Sequence, residues 1–389
     1  MGIVDSAILK QEVSDNLKDM ILPYWEDMED NVNGGFFGYK DFDLILKKDA
    51  PKGVILNSRI LYFFARAAKV MKMPELREYA DHAYEFLKDS CLDVKNGGLY
   101  WMIHSDGTVL EDMKHTYNQA FGIYALSAYY DAFKSVEALD IAIDIFDLIE
   151  KNCRDKYGYK EAFTADFKEI DNEKLSENGL LAQKTMNTLL HLLEGYSYLY
   201  EVSHIERVGN ALKDILEIFE KKVWNESEGR LEVFFDEKMN SIADLYSYGH
   251  DIEASWLIDH ACKVLGIKPA DYTLTMAENV YRTAFVKNKV LNECFNGEVN
   301  ETRVWWIQAE SMVGFLNAYE KTNDGRYLTA TAEIWSYIKK YFLDRRPGGE
   351  WFWDLDKKDE PSSKKPITEP WKCPYHNGRM CMELIERIH

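Results

Sequence analysis

Positive charge is scarce in this chain: 66 Asp and Glu outnumber 47 Lys and Arg, for a formal charge of −19 with histidine neutral. A surface that holds nucleic acid or an anionic membrane needs a local excess of cations. Neither partner is expected. No charge-free apolar run reaches the roughly 18 residues that suggest a membrane-spanning helix. The six cysteines (Cys91, Cys153, Cys262, Cys294, Cys373, Cys381) contain no CxxC pair and read as reduced structural thiols. Metal spacings such as HxxxH or HxxEH are missing, and so is a glycine-rich phosphate loop. The opening MGIVDSAILKQEV has no basic leader and its apolar patch is broken by Asp5, so no signal peptide is read there and a cytoplasmic protein is expected. The Met-Gly-x-x-x-Ser start and the sequons at Asn225 and Asn300 are short patterns that carry little weight.

Apolar and aromatic side chains are plentiful, at 46% and 14% of residues, which excludes a disordered composition. Length alone, at roughly 100 to 200 residues per domain, suggests two or three domains. A repeat overrides that estimate. Glycine followed by alternating aromatics recurs as Asn33-Gly-Gly-Phe-Phe-Gly-Tyr39, Asn96-Gly-Gly-Leu-Tyr-Trp101, Tyr157-Gly-Tyr-Lys-Glu-Ala-Phe163, Glu228-Gly-Arg-Leu-Glu-Val-Phe-Phe235, a degenerate Lys289-Val-Leu-Asn-Glu-Cys-Phe295, and Gly348-Gly-Glu-Trp-Phe-Trp353. The copies lie roughly 55 to 75 residues apart. Each alternates like a short strand, while the segments between carry apolar residues at i, i+3, i+4 and i+7, as Leu56, Ile60, Phe63, Phe64 and Ala67 do.

Two helices fit between consecutive motifs. The pattern predicts helices over 4–29, 55–72, 76–91, 115–132, 136–152, 182–201, 204–222, 247–265, 270–286, 303–321, 325–342 and 375–388. Twelve helices in six pairs, with a strand motif inside each pair, describe an all-α (α/α)6 barrel with short hairpin-like strands at one mouth. No linker interrupts it, so one domain over 1–389 is expected. An open α-solenoid is the competing fold, but it rarely places a strand in every repeat.

In such a barrel the helices after the strand motifs form the inner ring, and their N-terminal residues converge at one mouth. Those residues are Arg59, Tyr117, Asn118, Asn187, His191, His250, Glu253, Trp305, Trp306, Gln308, Glu310, Trp371 and His376. A lone histidine on an apolar helix face is usually a satisfied core residue, and Tyr117 or Asn118 taken singly would be core and capping residues. Arg59 resists that reading, because a buried guanidinium is costly without an anion or a carboxylate. The joint pattern outweighs the separate ones. His82, His104, His204, His260 and His389 fall on outer helices, in loops or at the chain end and are given no role.

Three histidines on one cavity allow a zinc site completed by Glu253, although no sequence spacing supports one. A glycoside hydrolase would use two carboxylates, with Glu253 and Glu310 as candidates, and would leave the histidines idle. Imidazole acid–base chemistry on a sugar carbon employs them.

The segments Tyr246-Ser-Tyr-Gly-His-Asp-Ile-Glu-Ala-Ser-Trp256, Arg303-Val-Trp-Trp-Ile-Gln-Ala-Glu310, Lys184-Thr-Met-Asn-Thr-Leu-Leu-His191 and Pro370-Trp-Lys-Cys-Pro-Tyr-His-Asn-Gly-Arg379 resemble the N-acylglucosamine 2-epimerase superfamily, within it the disaccharide 2-epimerases of bacteria. The likeness runs from about residue 10 to the C-terminus. Asn57 departs from the pattern, which has histidine two residues before the arginine.

The resemblance implies inversion of C2 in a reducing-end glucose, with cellobiose giving glucosyl-mannose and lactose giving epilactose. It also implies a neutral disaccharide substrate, no cofactor, no metal and a monomer or weak homodimer. It assigns proton transfer to His250 and His376, ring opening to His191 and the arginine role to Arg59. Glu253, Tyr117, Asn187, Trp306, Glu310 and Trp371 then support those groups or hold the sugar, and Asn118 and Trp305 are counted with the sugar-binding set. Glu253, if close to a histidine, would favour its charged form and move the pH optimum to the neutral or mildly alkaline side.

Overall fold

The computed structural model describes residues 5–175 and 180–388, so His389 and the first residues of the Met-Gly start lie outside the described part. Twelve helices are present among the described residues. The first, α1, runs Ser6–Asn16 and continues through a π turn, Leu17–Ile21, into Leu22–Glu26. The others are α2 (Val54–Val70), α3 (Arg77–Phe86), α4 (Thr116–Phe133), α5 (Val136–Asn152), α6 (Met186–Ser203), α7 (Glu206–Ile218), α8 (Tyr248–Leu265), α9 (Tyr272–Thr283), α10 (Trp305–Thr322), α11 (Gly325–Tyr337) and α12 (Tyr375–Arg387).

The even-numbered helices pack side by side in the order α2, α4, α6, α8, α10, α12, and α12 returns to pack on α2. The ring is closed, which excludes the open solenoid and establishes the (α/α)6 barrel. Each odd-numbered helix packs outside one member of the ring. Sequence explains the sorting. Inner α4 is buried without a break from Thr116 to Tyr129, whereas outer α5 buries only Ala138, Ala142, Ile145, Phe146 and Ile149, one stripe at helical spacing. Four inner helices end on a residue in the left-handed region, Lys134, His204, Gly266 and Asn323, with φ of 58°, 54°, 67° and 57°. That geometry reverses the chain within a few residues and starts the outer helix.

The strands stitch the repeats together at the mouth where the inner helices begin. The strand before each inner helix pairs antiparallel with the strand of the next motif: Lys52–Gly53 with Met102–Ile103, Lys114–His115 with Ala162–Phe163, Lys184–Thr185 with Phe234–Phe235, Leu245–Ser247 with Glu293–Phe295, and Arg303–Val304 with Asp354–Leu355. A single bridge between Lys40 and Thr368 closes the circle. These pairings explain two boundary differences. The helices expected from 182 and 303 begin later, at Met186 and Trp305, because the residues before them belong to the mouth strands. Three outer helices also close on π turns, Leu87–Cys91, Phe219–Val223 and Ile338–Phe342.

An ion pair, buried in the first two repeats and partly buried in the third, recurs beneath the glycine turns. Lys52 meets Asp30 at 2.6 Å, Lys114 meets Asp93 at 2.9 Å and Lys184 meets Asp155 at 2.7 Å. Each aspartate also accepts turn amides, as Asp30 does from Val32 and Asn33, so one carboxylate fixes the turn and ties it to the next helix. The fourth residue of several inner helices adds a second tie. Asn57 accepts from the Phe36 amide, Gln119 from Leu99, Asp251 from Leu231 and Gln308 from Val290. Asn57 is therefore part of this scaffold and makes no hydrogen bond to Arg59.

Candidate active site

Four residues stand second in their inner helices: Tyr117, Asn187, Trp306 and His376. Four more stand sixth: Arg59, His191, Glu253 and Glu310. Positions four apart share one helix face, and the closed ring turns that face inward. The result is a cavity of about 270 Å³ lined by Arg59, Tyr117, Asn187, His191, His250, Glu253, Trp305, Trp306, Trp371 and His376, with Lys174, Leu175 and Trp353 added. The last three were not foreseen, although Trp353 sits in a glycine–aromatic motif.

Arg59 is buried at this cavity and forms no salt bridge among the described residues. Its Nη2 donates to Tyr117 Oη at 2.8 Å, Nη1 lies 3.9 Å from the Cys373 thiol, and Nε has no hydrogen-bond partner among these residues. The guanidinium stacks 4.1 Å from the Phe121 ring centroid and 4.8 Å from that of Tyr375, which holds a cation without neutralising it. Asn187 Oδ1 and Glu253 Oε2 are likewise buried without a hydrogen-bond partner among the described residues.

Each of the three histidines engages a protein group through Nδ1, leaving Nε2 to face other neighbours. His191 Nδ1 lies 2.9 Å from Glu194 Oε2, His250 Nδ1 2.7 Å from Ser247 Oγ, and His376 Nδ1 2.8 Å from Glu310 Oε1. An ionised carboxylate only accepts, so it selects the Nδ1–H tautomer and an Nε2 lone pair. His250 and His376 pack on Trp306 at ring-centroid distances of 4.9 and 5.3 Å.

Burial pushes all three imidazoles below their ordinary titration range, His250 to about 3. For His376 the charges of Arg379 and Arg59 add to burial. The expected upward push from Glu253 is thus overturned. Glu253 lies 3.9 Å from His376 Nδ1, but burial, followed by the neighbouring Glu310, holds its own carboxyl well above the usual range.

Two residues of the sugar-binding set sit elsewhere. Asn118 is in the wall, one position round the helix from Tyr117, and its amide donates to the Tyr100 carbonyl at 2.7 Å. Glu310 lies beneath His376 and is not part of the cavity lining; it also accepts from Trp256 Nε1 at 3.1 Å. The residue that sequence reasoning missed is Arg379. It donates to Glu194 through Nη1, and through Nη2 to Glu253 at 2.5 Å and Glu310 at 2.7 Å. Glu194 was missed as well, although its place three residues after His191 was a legible signal. Glu253, Glu310 and His376 bring possible metal-ligand atoms within 4.8 Å of one another. Arg379 already engages an oxygen of both carboxylates there, so the donor set suits a guanidinium better than a metal ion. No helix among the described residues is long and apolar enough to cross a membrane.

The sequence model of the N-acylglucosamine 2-epimerase (GlcNAc 2-epimerase) family matches residues 35–377. The chain is 47% identical to a cellobiose 2-epimerase of Ruminococcus albus over 381 residues, 97% of this chain and 98% of the relative. It is 44% identical to that of Dictyoglomus turgidum over 390 residues, 99% of this chain and 100% of the relative. The solved cellobiose 2-epimerase of Bacillus thermoamylovorans superposes with a TM-score of 0.96 at 44% identity, covering 98% of this chain and 100% of the other. With repeat, ring and polar mouth agreeing with these matches over nearly the whole length, the chain belongs to the N-acylglucosamine 2-epimerase family.

Proposed function

We propose that this protein is a cofactor-independent isomerase that inverts C2 of the reducing-end glucose in β-1,4-linked disaccharides, converting cellobiose to glucosyl-mannose and lactose to epilactose. One observation carries the reading: a buried arginine without a carboxylate stands at a cavity lined by three histidines whose Nδ1 atoms are already engaged. The relatives named cellobiose 2-epimerase support the disaccharide assignment.

The chemistry follows from the acidity of the carbon. The hydrogen on C2 is acidic only in the open-chain aldehyde, so His191 first helps to move the C1 hydroxyl proton to O5. A histidine Nε2 then takes the C2 proton, and Glu310 beneath His376 steadies the cation that forms there. The resulting enediolate oxygen meets Arg59, a donor fixed in place before the charge develops. His250 and His376 come from different helices, which allows the proton to return to the opposite face of C2. A neutral sugar binds by stacking on the indoles of Trp306 and Trp371 rather than by charge. The same enediolate serves an aldose–ketose isomerase, which differs in returning the proton to C1. Incubation with cellobiose and, separately, with mannose distinguishes the two by product chromatography. The proposal expects glucosyl-mannose from cellobiose; fructose from mannose with unchanged cellobiose would replace it with the isomerase reading.

A further inference from the structure

Three carboxylates from successive inner helices, Glu194, Glu253 and Glu310, converge on Arg379, and all four side chains are almost wholly buried. Their hydrogen bonds are unequal. Glu194 accepts from Arg379 Nη1, the Tyr375 hydroxyl and His191 Nδ1. Glu310 accepts from Arg379 Nη2, Trp256 Nε1 and His376 Nδ1. Among the described residues Glu253 accepts from Arg379 Nη2 alone, and its Oε2 has no hydrogen-bond partner. Besides these groups it faces Tyr117 across the cavity. Donor count therefore ranks Glu253 as the carboxylate least able to hold a charge.

Charge balance agrees. Three ionised carboxylates gathered on the single guanidinium of Arg379 would hold like charges close together in a buried cluster, which is costly. One proton on the group relieves that repulsion.

We propose that Glu253 is held as a neutral carboxylic acid whose Oε2–H donates a hydrogen bond to a sugar oxygen in the cavity, while Arg379 is the positioning residue that keeps Glu194 and Glu310 ionised as acceptors for His191 and His376. The electrostatics run the same way. Arg379 and the His191 hydrogen bond outweigh burial and take Glu194 to about 2. Burial and Glu310 leave Glu253 well above its usual range. Burial raises Glu310 too, and its three donors against one decide which of the pair carries the proton.

The inference rests on the epimerase reading only in naming a sugar as the acceptor. Its test is the infrared carboxylic-acid band of protein labelled with carbon-13 at the glutamate side-chain carboxyl, compared with Glu253→Gln at pH ~8.5. Glutamate labelling removes the buried Asp251, and that pH ionises Glu161, which burial lifts to about 7. The wild-type protein is expected to show a band that Glu253→Gln lacks. In turnover, glutamine, which keeps a neutral donor, is expected to retain activity within tenfold, whereas Glu253→Ala loses more than a hundredfold. If Glu253→Gln does not fold, Glu253→Ala labelled in the same way supplies the comparison, because burial raises Glu310 as well. Absence of any carboxylic-acid band, or a glutamine variant as impaired as the alanine one, overturns the proposal. Failure to epimerise cellobiose would leave the band unaffected and would count against the functional reading alone.

Discussion

Replacing Arg59 with methionine removes a guanidinium whose polar contacts are one hydrogen bond to Tyr117 and a long approach to the Cys373 thiol. The long side chain still fills the space against Phe121 and Tyr375, and no buried carboxylate loses a partner. The stability cost is that of one hydrogen bond, about 1 kcal/mol. The same replacement at Arg379 strips Glu194, Glu253 and Glu310 of their common donor, and breaking buried pairs of this kind costs ~3–5 kcal/mol. Catalysis orders the two differently. Loss of one preorganised donor to an oxyanion lowers kcat by roughly 10²–10³, or about 3–4 kcal/mol, so Arg59→Met is expected to be folded and nearly inactive. Urea unfolding and initial rates on cellobiose, measured on both variants, read the two effects separately. An Arg59→Met protein that unfolds as early as Arg379→Met, or that turns over within about tenfold of wild type, would refute the assignment of Arg59 to the oxyanion.

Single replacements His191→Ala, His250→Ala and His376→Ala are each expected to keep the fold and to lose roughly 10²–10⁴ in kcat, and a loss under about tenfold removes that residue from the mechanism. For pH, His250 is depressed to about 3 in the folded protein and titrates near ~6.5 when unfolded. The unfolded chain therefore gains a proton first on acidification, and the stability advantage of wild type over His250→Gln shrinks as pH falls from about 6.5, by at most ~1.4 kcal/mol per pH unit. Urea unfolding of both proteins at two pH values checks the sign. Prolonged chelator treatment is expected to leave turnover unchanged; inactivation reversed by zinc would restore a metal at Glu253, Glu310 and His376.

How much of this was legible in the sequence depends on helix starts. The six glycine–aromatic motifs disclosed the barrel, because five of them lead into a strand that pairs with the strand before an inner helix and the first is joined by the Lys40–Thr368 bridge. Arg59, His191, Glu253 and Glu310 share the sixth position of their helices. That register was hidden because periodicity cannot distinguish Lys184–Thr185 or Arg303–Val304, which form mouth strands, from a first helical turn. Asn118 shows how fine that register is, since one residue of rotation separates Tyr117 at the cavity from Asn118 in the wall. Arg379 stayed invisible for another reason. Its partners come from α6, α8 and α10, and nothing local in Tyr375-His-Asn-Gly-Arg379 signals three carboxylates from distant segments. The Lys–Asp pairs under the turns were available in the repeat, at a spacing of 21 or 22 residues for Lys114–Asp93 and Lys52–Asp30.

Epimerisation by this site requires the C2 hydrogen to leave and return as a proton carried by histidine. Running the reaction on cellobiose in heavy water and examining the product by proton NMR tests it directly. Deuterium is expected on C2 of the glucosyl-mannose formed; product that reaches full conversion with C2 unlabelled would rule out proton transfer and point to a hydride shift or to chemistry at another carbon.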